Sequence, residues 1–325
     1  MFRFSKFILQ GLLVVVMLSC SKDDDDKQAA IPNLDFRQEM REFVMGISTY
    51  AKQQRASFLI IPQNGQEILT ANGEPDGAPA TAYINAIDAT GREDLFYGYT
   101  ADDAATPAED NAHLVGLCKV ALANGKTVMV TDYVTTKSKV DDSYAKNKAL
   151  GFLSYAANTR ELTAIPTYPQ PIPGLNDRSI TSLKDASNFM YLLNPANFSG
   201  KDAYLNALRA TNYDVLLLDL YYEEQALTAA DITSLRKKAN GGNRIILCYM
   251  SIGEAEDYRY YWGTLPQSLV YKANPDWPGN YVVKYWEDDW KRIIYGNDDS
   301  YTAKVINAGF DGVYLDIIEA YEIFE

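Results

Sequence analysis

Short apolar runs alternate along the chain with segments whose apolar residues recur at helical spacing. Eight of these runs predict buried β-strands, namely SFLIIP, DLFYGY, TVMVTDYV, GFLSYAA, NFMYLL, YDVLLLDLYY, RIILCYMSIGEAE and FDGVYLD. The segment FRQEMREFVMGISTYAKQQRA, which begins at Phe36, is typical of an amphipathic helix. We expect Gly125 to end a helix that begins at Ala108, and Thr228 to cap the start of another.

This alternation predicts an α/β fold, and eight strands match the count of a (β/α)8 TIM barrel. A doubly wound sheet would use the same elements. We expect residues 36–325 to form a single domain, although the proline-rich segment IPTYPQPIPGLNDRS could separate two units of four strands each.

The order of the elements is unusual for a barrel, because the pattern starts with a helix and ends with a strand. A circularly permuted barrel accounts for this order if the helix from Arg37 to Arg55 covers the last strand. The joint would then lie at about residues 166–186, and Phe324 would lie close to Phe36.

The first 19 residues have the pattern of a secretory signal peptide. MFRFSKF is basic, and ILQGLLVVVML is apolar but too short to span a membrane. Cys20 follows a small residue, as in a bacterial lipobox, so we expect it to be lipidated. Residues 20–35 form an acidic linker, in which SKDDDDK resembles the export tag of Bacteroidetes surface lipoproteins. The expected location is the outer membrane facing outward, with the periplasmic face as the alternative.

Charge and composition exclude several classes of chemistry. A net charge of −13 disfavours nucleic acid as a partner, because phosphate binding needs clustered Lys and Arg. Cys118 and Cys248 lack the spacing of a metal site and are expected in the core. His113, the only histidine, is expected on a helix surface rather than in a catalytic triad. We therefore expect no metal or other cofactor, and any catalysis would depend on carboxyl groups.

Polar residues stand at the predicted carboxyl ends of the strands, where barrel enzymes hold their reactive groups. They are Asn64, Glu93, Asp132, Tyr155, Tyr191, Asp219, Tyr249, Glu254 and Asp316. A carboxylate beside an apolar strand must be paired, hydrogen-bonded or open to a cleft. One such residue is often a structural anchor, but several at one rim favour an active site.

Long segments of the chain resemble glycoside hydrolase family 114, and in particular its bacterial and archaeal branch once labelled "cysteinyl-tRNA synthetase-related". VLLLDLYY, CYMSIGEAEDYRYYW, NPDWPGNYVVKYWEDDW and GFDGVYLDIIEAYEIFE resemble the first half of the family's barrel. EMREFVMGISTYAKQQ, FLIIPQNG, REDLFYG, VMVTDYV and TREL resemble its second half, which here comes first. The sequence carries no nucleotide-binding signature of a tRNA synthetase.

The resemblance implies an endo-α-1,4-polygalactosaminidase that cleaves polymers of galactosamine and N-acetylgalactosamine. It implies Asp316 as the nucleophile and Glu93 as the acid/base in a retaining mechanism, although Glu93 precedes its predicted strand. Asp219 and Glu254 are reserve candidates for catalysis. The residues expected to bind the saccharide are Asp219, Glu254, Tyr249, Asn64, Asp132, Tyr191 and Trp286.

Two alternatives stay open at this point, one for the function of the protein and one for the role of its aromatic segment. A surface lipoprotein that binds a glycan without cleaving it would keep the same aromatic cleft. The aromatic segment around Trp286 would equally serve to pack an insertion onto the barrel. An esterase or deacetylase is disfavoured, because the sequence has no Ser-His pair and no metal-binding histidines.

Overall fold

The computed structural model describes residues 31–325. Within them there are eight α-helices: α1 Phe36–Gln54, α2 Thr81–Ala86, α3 Ala108–Ala123, α4 Lys137–Leu150, α5 Lys201–Arg209, α6 Ala229–Leu235, α7 Asp288–Ile294 and α8 Tyr301–Ala308. The same residues contain thirteen strands: β1 Leu59–Pro62, β2 Ala89–Glu93, β3 Thr127–Tyr133, β4 Leu153–Ala157, β5 Phe189–Leu192, β6 Val215–Leu218, β7 Tyr221–Tyr222, β8 Gln225–Ala226, β9 Ile245–Ser251, β10 Glu254–Glu256, β11 Val270–Ala273, β12 Asn280–Val283 and β13 Gly312–Asp316.

Residues Leu34–Glu325 pack as one compact unit. The predicted signal peptide, Cys20 and the acidic run of the linker lie outside the described residues. Within the described part of the chain, no helix has the length and apolar character needed to cross a bilayer.

Eight strands run parallel in two sheets, so the predicted α/β class is confirmed. The larger sheet has the order β1-β13-β9-β6-β5, and the smaller has the order β2-β3-β4. A parallel bridge between Gln63 and Gly91 joins the ends of β1 and β2, and β4 lies beside β5. The carboxyl ends of the paired strands therefore lie together.

Burial explains why the parallel strands are so apolar. Every residue of β6 and β9 is buried, as expected for strands with both faces covered. Helices lie between most consecutive strands, and their ends follow the sequence signals. Thr228 and Asp231 form a capping box at the start of α6, and Gly125 adopts a φ of 74° just beyond α3.

One predicted strand lies in a different place. DLFYGY forms a turn, and the strand is the preceding ATGRE, which is β2. Gly91 hides this strand from the sequence pattern, since glycine disfavours strands. A Cβ at Gly91 would lie 1.9 Å from the Tyr314 hydroxyl oxygen, so the close approach of the Tyr314 side chain, from β13, requires glycine. Glu93 consequently ends its strand instead of preceding it.

The predicted strand RIILCYMSIGEAE is divided into β9 and β10, which belong to different sheets. β10 pairs with β12 in a three-stranded antiparallel sheet that also contains β11. The aromatic segment after β9 therefore folds into a small sheet and helix α7, rather than a long loop.

Helix α1 packs against the segment that follows β13. The rings of Phe36 and Phe324 lie 5.5 Å apart, and Arg37 pairs with Glu325 at 2.9 Å. The expected contact between these two regions is thus confirmed. α1 also packs against α2 and α8, on either side in the layer of helices.

A buried ion pair ties the proline-rich connector to the strands. Lys238 donates to Asp214 at 2.8 Å, and neither side chain is exposed. Asn176 of the connector and the backbone N–H of Ser187, just before β5, bond to the same carboxylate at 2.9 and 2.8 Å. Because the pair is fully desolvated, its two charges depend on each other.

We predict that Lys238→Met lowers the free energy of unfolding by about 3–5 kcal/mol, since it leaves Asp214 buried without its countercharge. Urea unfolding at pH 7 measures this loss. Arg292→Met is the matched control, because the Arg292–Asp289 pair is exposed and its loss costs less than about 1 kcal/mol. Equal losses in the two variants would contradict the prediction.

Candidate active site

A cavity of about 370 Å³ lies at the carboxyl ends of the parallel strands. Six of the residues predicted from the sequence line it: Asn64, Glu93, Tyr191, Asp219, Tyr249 and Asp316. A larger cavity of about 850 Å³ lies at the opposite ends of β3 and β4, and no Asp or Glu lines it. Since the candidate chemistry requires carboxyl groups, the smaller cavity is the candidate active site.

The side chain of Gln63 connects the two predicted catalytic carboxyls. Its Nε2 donates to Asp316 Oδ1 at 2.7 Å and to Glu93 Oε2 at 3.0 Å. Gln63 lies just after β1, which pairs with β13 on one side and reaches β2 on the other. The strand order therefore places this amide between the ends of the strands that carry the two carboxyls.

Glu93 accepts two further hydrogen bonds. Asn64 Nδ2 donates at 2.9 Å, while the Glu93 backbone N–H returns a bond to Asn64 Oδ1. The Tyr133 hydroxyl donates to the other carboxylate oxygen. Arg160 lies 4.1 Å from the centre of the Tyr133 ring and forms a bidentate pair with Asp94. Arg160 thus helps to fix the tyrosine that holds Glu93.

Asp316 is held by side-chain and backbone donors. The Tyr249 hydroxyl donates to Oδ2 at 2.8 Å, and the Ile317 backbone N–H also bonds to the carboxylate. Ile317 has a φ of 60°, which is rare for a β-branched residue and costs about 1–3 kcal/mol. A Cβ at Gly253 would lie 2.2 Å from the Ile317 carbonyl oxygen, so glycine is required beside this strained turn.

Burial changes the acidity of both carboxyls. Desolvation raises the pKa of Asp316 to about 6, although the bonds from Tyr249, Ile317 and Gln63 oppose the shift. Desolvation and the repulsion from Asp316 raise the pKa of Glu93, against the bonds from Tyr133 and Asn64. Two partly buried carboxyls so close together favour a state in which they share one proton.

A second group of charges lies in the same cavity, and in it one arginine bonds to two carboxylates. Arg259 forms a bidentate pair with Asp219 at 2.8 and 2.6 Å, and it bonds to Glu256 at 2.6 Å. The Tyr258 hydroxyl donates to Glu256 as well, also at 2.6 Å. Asp219 therefore lines the cavity as predicted, but its oxygens already accept bonds from Arg259.

The structure places three expected saccharide-binding residues away from the cavity, which corrects those assignments. Asp132 points towards α4, where it accepts bonds from Ser143 and Asn147. Glu254 is buried on β10 and accepts from Asn274 at 2.8 Å. Trp286 packs against the chain ends, with its ring 4.7 Å from that of Phe324. Each of them has a structural role at its position.

Several cavity residues were missed by the sequence reasoning. The missed residues that line the cavity include Gln63, Tyr133, Arg160, Glu256, Arg259 and Glu319. The case of Tyr133 has a simple cause, because successive residues of a strand point to opposite faces. Asp132 was chosen at the end of β3, and its neighbour Tyr133 points into the site. The signal for Gln63 was its position in PQNG, directly before the predicted Asn64.

Aromatic side chains line the mouth of the cavity, while candidate metal ligands are not grouped there. Tyr258 and Trp277 are 62% and 45% exposed, so their ring faces are accessible to a ligand. Among residues 31–325, no cluster of three or more His, Cys, Asp or Glu could hold a metal ion.

We predict that Asp316→Asn stabilises the protein at pH 7 by about 2 kcal/mol, because the folded-state pKa of about 6 exceeds the usual value of about 3.9. Between about pH 4 and 6 the folded state holds a proton on Asp316 that the unfolded chain has released, so the wild type loses stability as the pH rises through this range. The gain should shrink towards pH 4, as urea unfolding at both pH values would show.

Asp219→Asn is the control for this measurement, and it should lower stability because it leaves the buried Arg259 without one of its two carboxylate partners. An Asp316→Asn variant that is less stable than the wild type at pH 7 would contradict the prediction.

Known proteins with similar sequences cover part of the chain. The chain is 31% identical over 164 residues to an uncharacterized protein of Methanocaldococcus jannaschii, covering 46% of this chain and 45% of that protein. An uncharacterized protein of Thermotoga maritima is 45% identical over 80 residues, which are 23% of this chain and 24% of that protein. The chain thus spans less than half the length of these curated relatives.

A solved structure, Aspergillus fumigatus Ega3 in complex with galactosamine, has 20% sequence identity and a TM-score of 0.32. The similarity covers 45% of this chain and 51% of that chain. The model of glycoside-hydrolase family GH114 matches residues 175–324, a range that includes Asp219, Tyr249 and Asp316. This match covers a little under half of the chain and supports its membership of glycoside-hydrolase family GH114.

Proposed function

We propose that the chain is a glycoside hydrolase that cleaves α-1,4-linked polymers of galactosamine or N-acetylgalactosamine. The observation that carries the proposal is the pair of partly buried carboxyls, Glu93 and Asp316, which share the amide of Gln63. Glycoside hydrolysis needs two such groups, one to act as nucleophile or base and one to donate a proton.

The spacing of the pair supports a retaining mechanism. Both oxygens lie within 3.0 Å of one nitrogen, so the nearest oxygens are at most about 6 Å apart, compared with about 5–5.5 Å in retaining and 6.5–9.5 Å in inverting enzymes. A water molecule would not fit between a sugar and its base at this separation, as inversion requires.

In this mechanism Asp316 attacks the anomeric carbon and forms a covalent glycosyl–enzyme. Glu93 gives its proton to the glycosidic oxygen as that bond breaks, then takes a proton from the water that releases the sugar. The raised pKa of Glu93 allows it to hold this proton before the reaction. Tyr249 and the Ile317 amide stabilise the ionised form of the nucleophile.

The charge and shape of the cavity support an amino-sugar substrate. Six carboxyl groups line it against two arginines, and they are Glu93, Glu161, Asp219, Glu256, Asp316 and Glu319. A cavity with an excess of carboxyl groups attracts a cationic ligand. Trp277 and Tyr258 at the mouth provide surfaces on which the apolar faces of sugar rings can stack.

We predict that Asp316→Ala and Glu93→Ala each lower the rate of oligosaccharide release from galactosaminogalactan by at least about a thousandfold, since each removes one of the two reacting groups. Reducing-end assays measure the rate, and NMR of the first product measures its anomeric configuration. The control is Glu109→Ala, which changes an exposed carboxyl on α3 that does not line the cavity.

Two results would contradict parts of this proposal. Binding of the polymer by the wild type without product release would identify a glycan-binding protein instead of a hydrolase. A first product with inverted configuration would overturn the retaining mechanism while leaving the hydrolase itself in place.

We further propose that the eight parallel strands form one (β/α)8 barrel in circularly permuted order. The support is that the family model matches only the second part of the chain, from residue 175, and that α1 packs beside the short helix Ile318–Ile323 that follows β13. An experimental structure in which β4 and β5 lie apart would contradict this arrangement.

We also propose that Cys20 carries a lipid anchor and that the protein is an outer-membrane lipoprotein, with no nucleic acid partner. The support is the signal-like sequence of residues 1–19 and the acidic run after Cys20. Cells grown with labelled palmitate should label the native chain but not Cys20→Ala. Equal label in both would refute the anchor.

A further inference from the structure

Glu319 is a third partly buried carboxyl in the cavity, and the mechanism does not use it. It lies on the short helix Ile318–Ile323, three residues after Asp316, and lines the cavity. Its Oε2 atom is shielded from solvent and has no hydrogen-bond partner. The carboxyl does interact with its own backbone N–H, so one oxygen is left unsatisfied.

The other acids around the reacting centre have partners from the protein. Asp316 and Glu93 accept from Gln63, and Asp219 and Glu256 accept from Arg259. A buried acceptor without a partner costs about 1–3 kcal/mol. Because Glu319 lines the cavity, a bound ligand could supply the donor that its side chain lacks.

The charges around Glu319 indicate what kind of donor fits. Asp316 and Glu93 are close enough to repel it, and Arg92 attracts it without a hydrogen bond. Arg92 does not line the cavity and interacts with Gln66 at 3.4 Å. Three carboxyls with so little positive charge inside the cavity favour a cationic donor over a neutral one.

We propose that Glu319 determines specificity by accepting a hydrogen bond from the positively charged amino group of a de-N-acetylated sugar. This inference rests on the proposed function, and it assigns to one residue the distinction between an ammonium and an acetamido group. A protonated amine offers charge and donors together, whereas an acetamido group is neutral and larger.

The acidity of Glu319 is consistent with this role. Burial, followed by the repulsion from Asp316 and Glu93, raises the pKa of Glu319 to about 8. In the empty cavity the group is therefore mostly protonated at neutral pH. An ammonium beside it offsets the repulsion and favours the ionised form, as an opposite charge does for any carboxyl.

The test measures binding in the full chain carrying Asp316→Asn, which blocks turnover. Isothermal titration calorimetry compares α-1,4-galactosamine oligosaccharides that are fully de-N-acetylated with fully N-acetylated ones. Adding Glu319→Gln should weaken binding of the de-N-acetylated oligosaccharide at least about tenfold, the usual effect of losing a charged hydrogen bond. Binding of the N-acetylated oligosaccharide should change less than about twofold, since its neutral group gains little from the charge.

Glu109→Gln in the same background is the matched control, because Glu109 is an exposed glutamate on α3 that does not line the cavity. It should leave both affinities within about twofold, as surface charges contribute little. Glutamine has the shape of glutamate, and the melting temperature verifies that each variant is folded.

The possible outcomes separate the specificity role of Glu319 from the proposed function of the chain. Equal weakening for both oligosaccharides, or no weakening for either, would overturn the role of Glu319 and leave the hydrolase intact. Failure of the Asp316→Asn chain to bind either oligosaccharide would overturn the proposed substrate, and the specificity role with it.

Discussion

The close approach of two carboxyl groups in a cavity shielded from water is the constraint on which the site depends. Charges of the same sign repel strongly where the dielectric constant is low, so neither group can be held there without donors. Gln63 supplies a donor to both groups, because its side-chain amide bonds to Glu93 and to Asp316. Its backbone N–H bonds to Leu315 O at 2.7 Å and so joins β1 to β13. One residue thus fixes both the carboxyls and the strand register that brings them together.

The backbone around Gln63 carries the cost of this arrangement. Asn64 and Gly65 both have positive φ after β1, and Ile317 has one directly after Asp316. A Cβ at Gly65 would lie 2.8 Å from Ile318, so the two turns are packed against each other. Strain of this kind persists only where the surrounding structure enforces it. The parallel sheet and its buried strands provide that enforcement, while the site itself reduces stability.

The sequence predicted most of the fold because buried parallel strands have a strong apolar signal. It located β6, β9 and β13 within a few residues. It misplaced β2, whose Gly91 is dictated by the ring of Tyr314 in another strand, a contact that no local pattern reveals. The two carboxyls that meet in the cavity were among the predicted residues, but Asp132 was chosen where Tyr133 faces the cavity. Neighbouring residues of a strand point to opposite faces. The sequence therefore locates polar residues at strand ends more easily than it shows which of them face the cavity.

The cavity divides its charges into a fixed group and a variable group. Asp219 and Glu256 are both bonded to Arg259, which keeps its charge at any physiological pH, so in that group two carboxyl groups share one cation. Glu93 and Asp316 are held by uncharged donors, which allow either group to gain or lose a proton. A reaction that moves a proton between enzyme and substrate needs carboxyl groups that are held by uncharged donors. The fixed group can therefore attract a cation without competing for the catalytic proton.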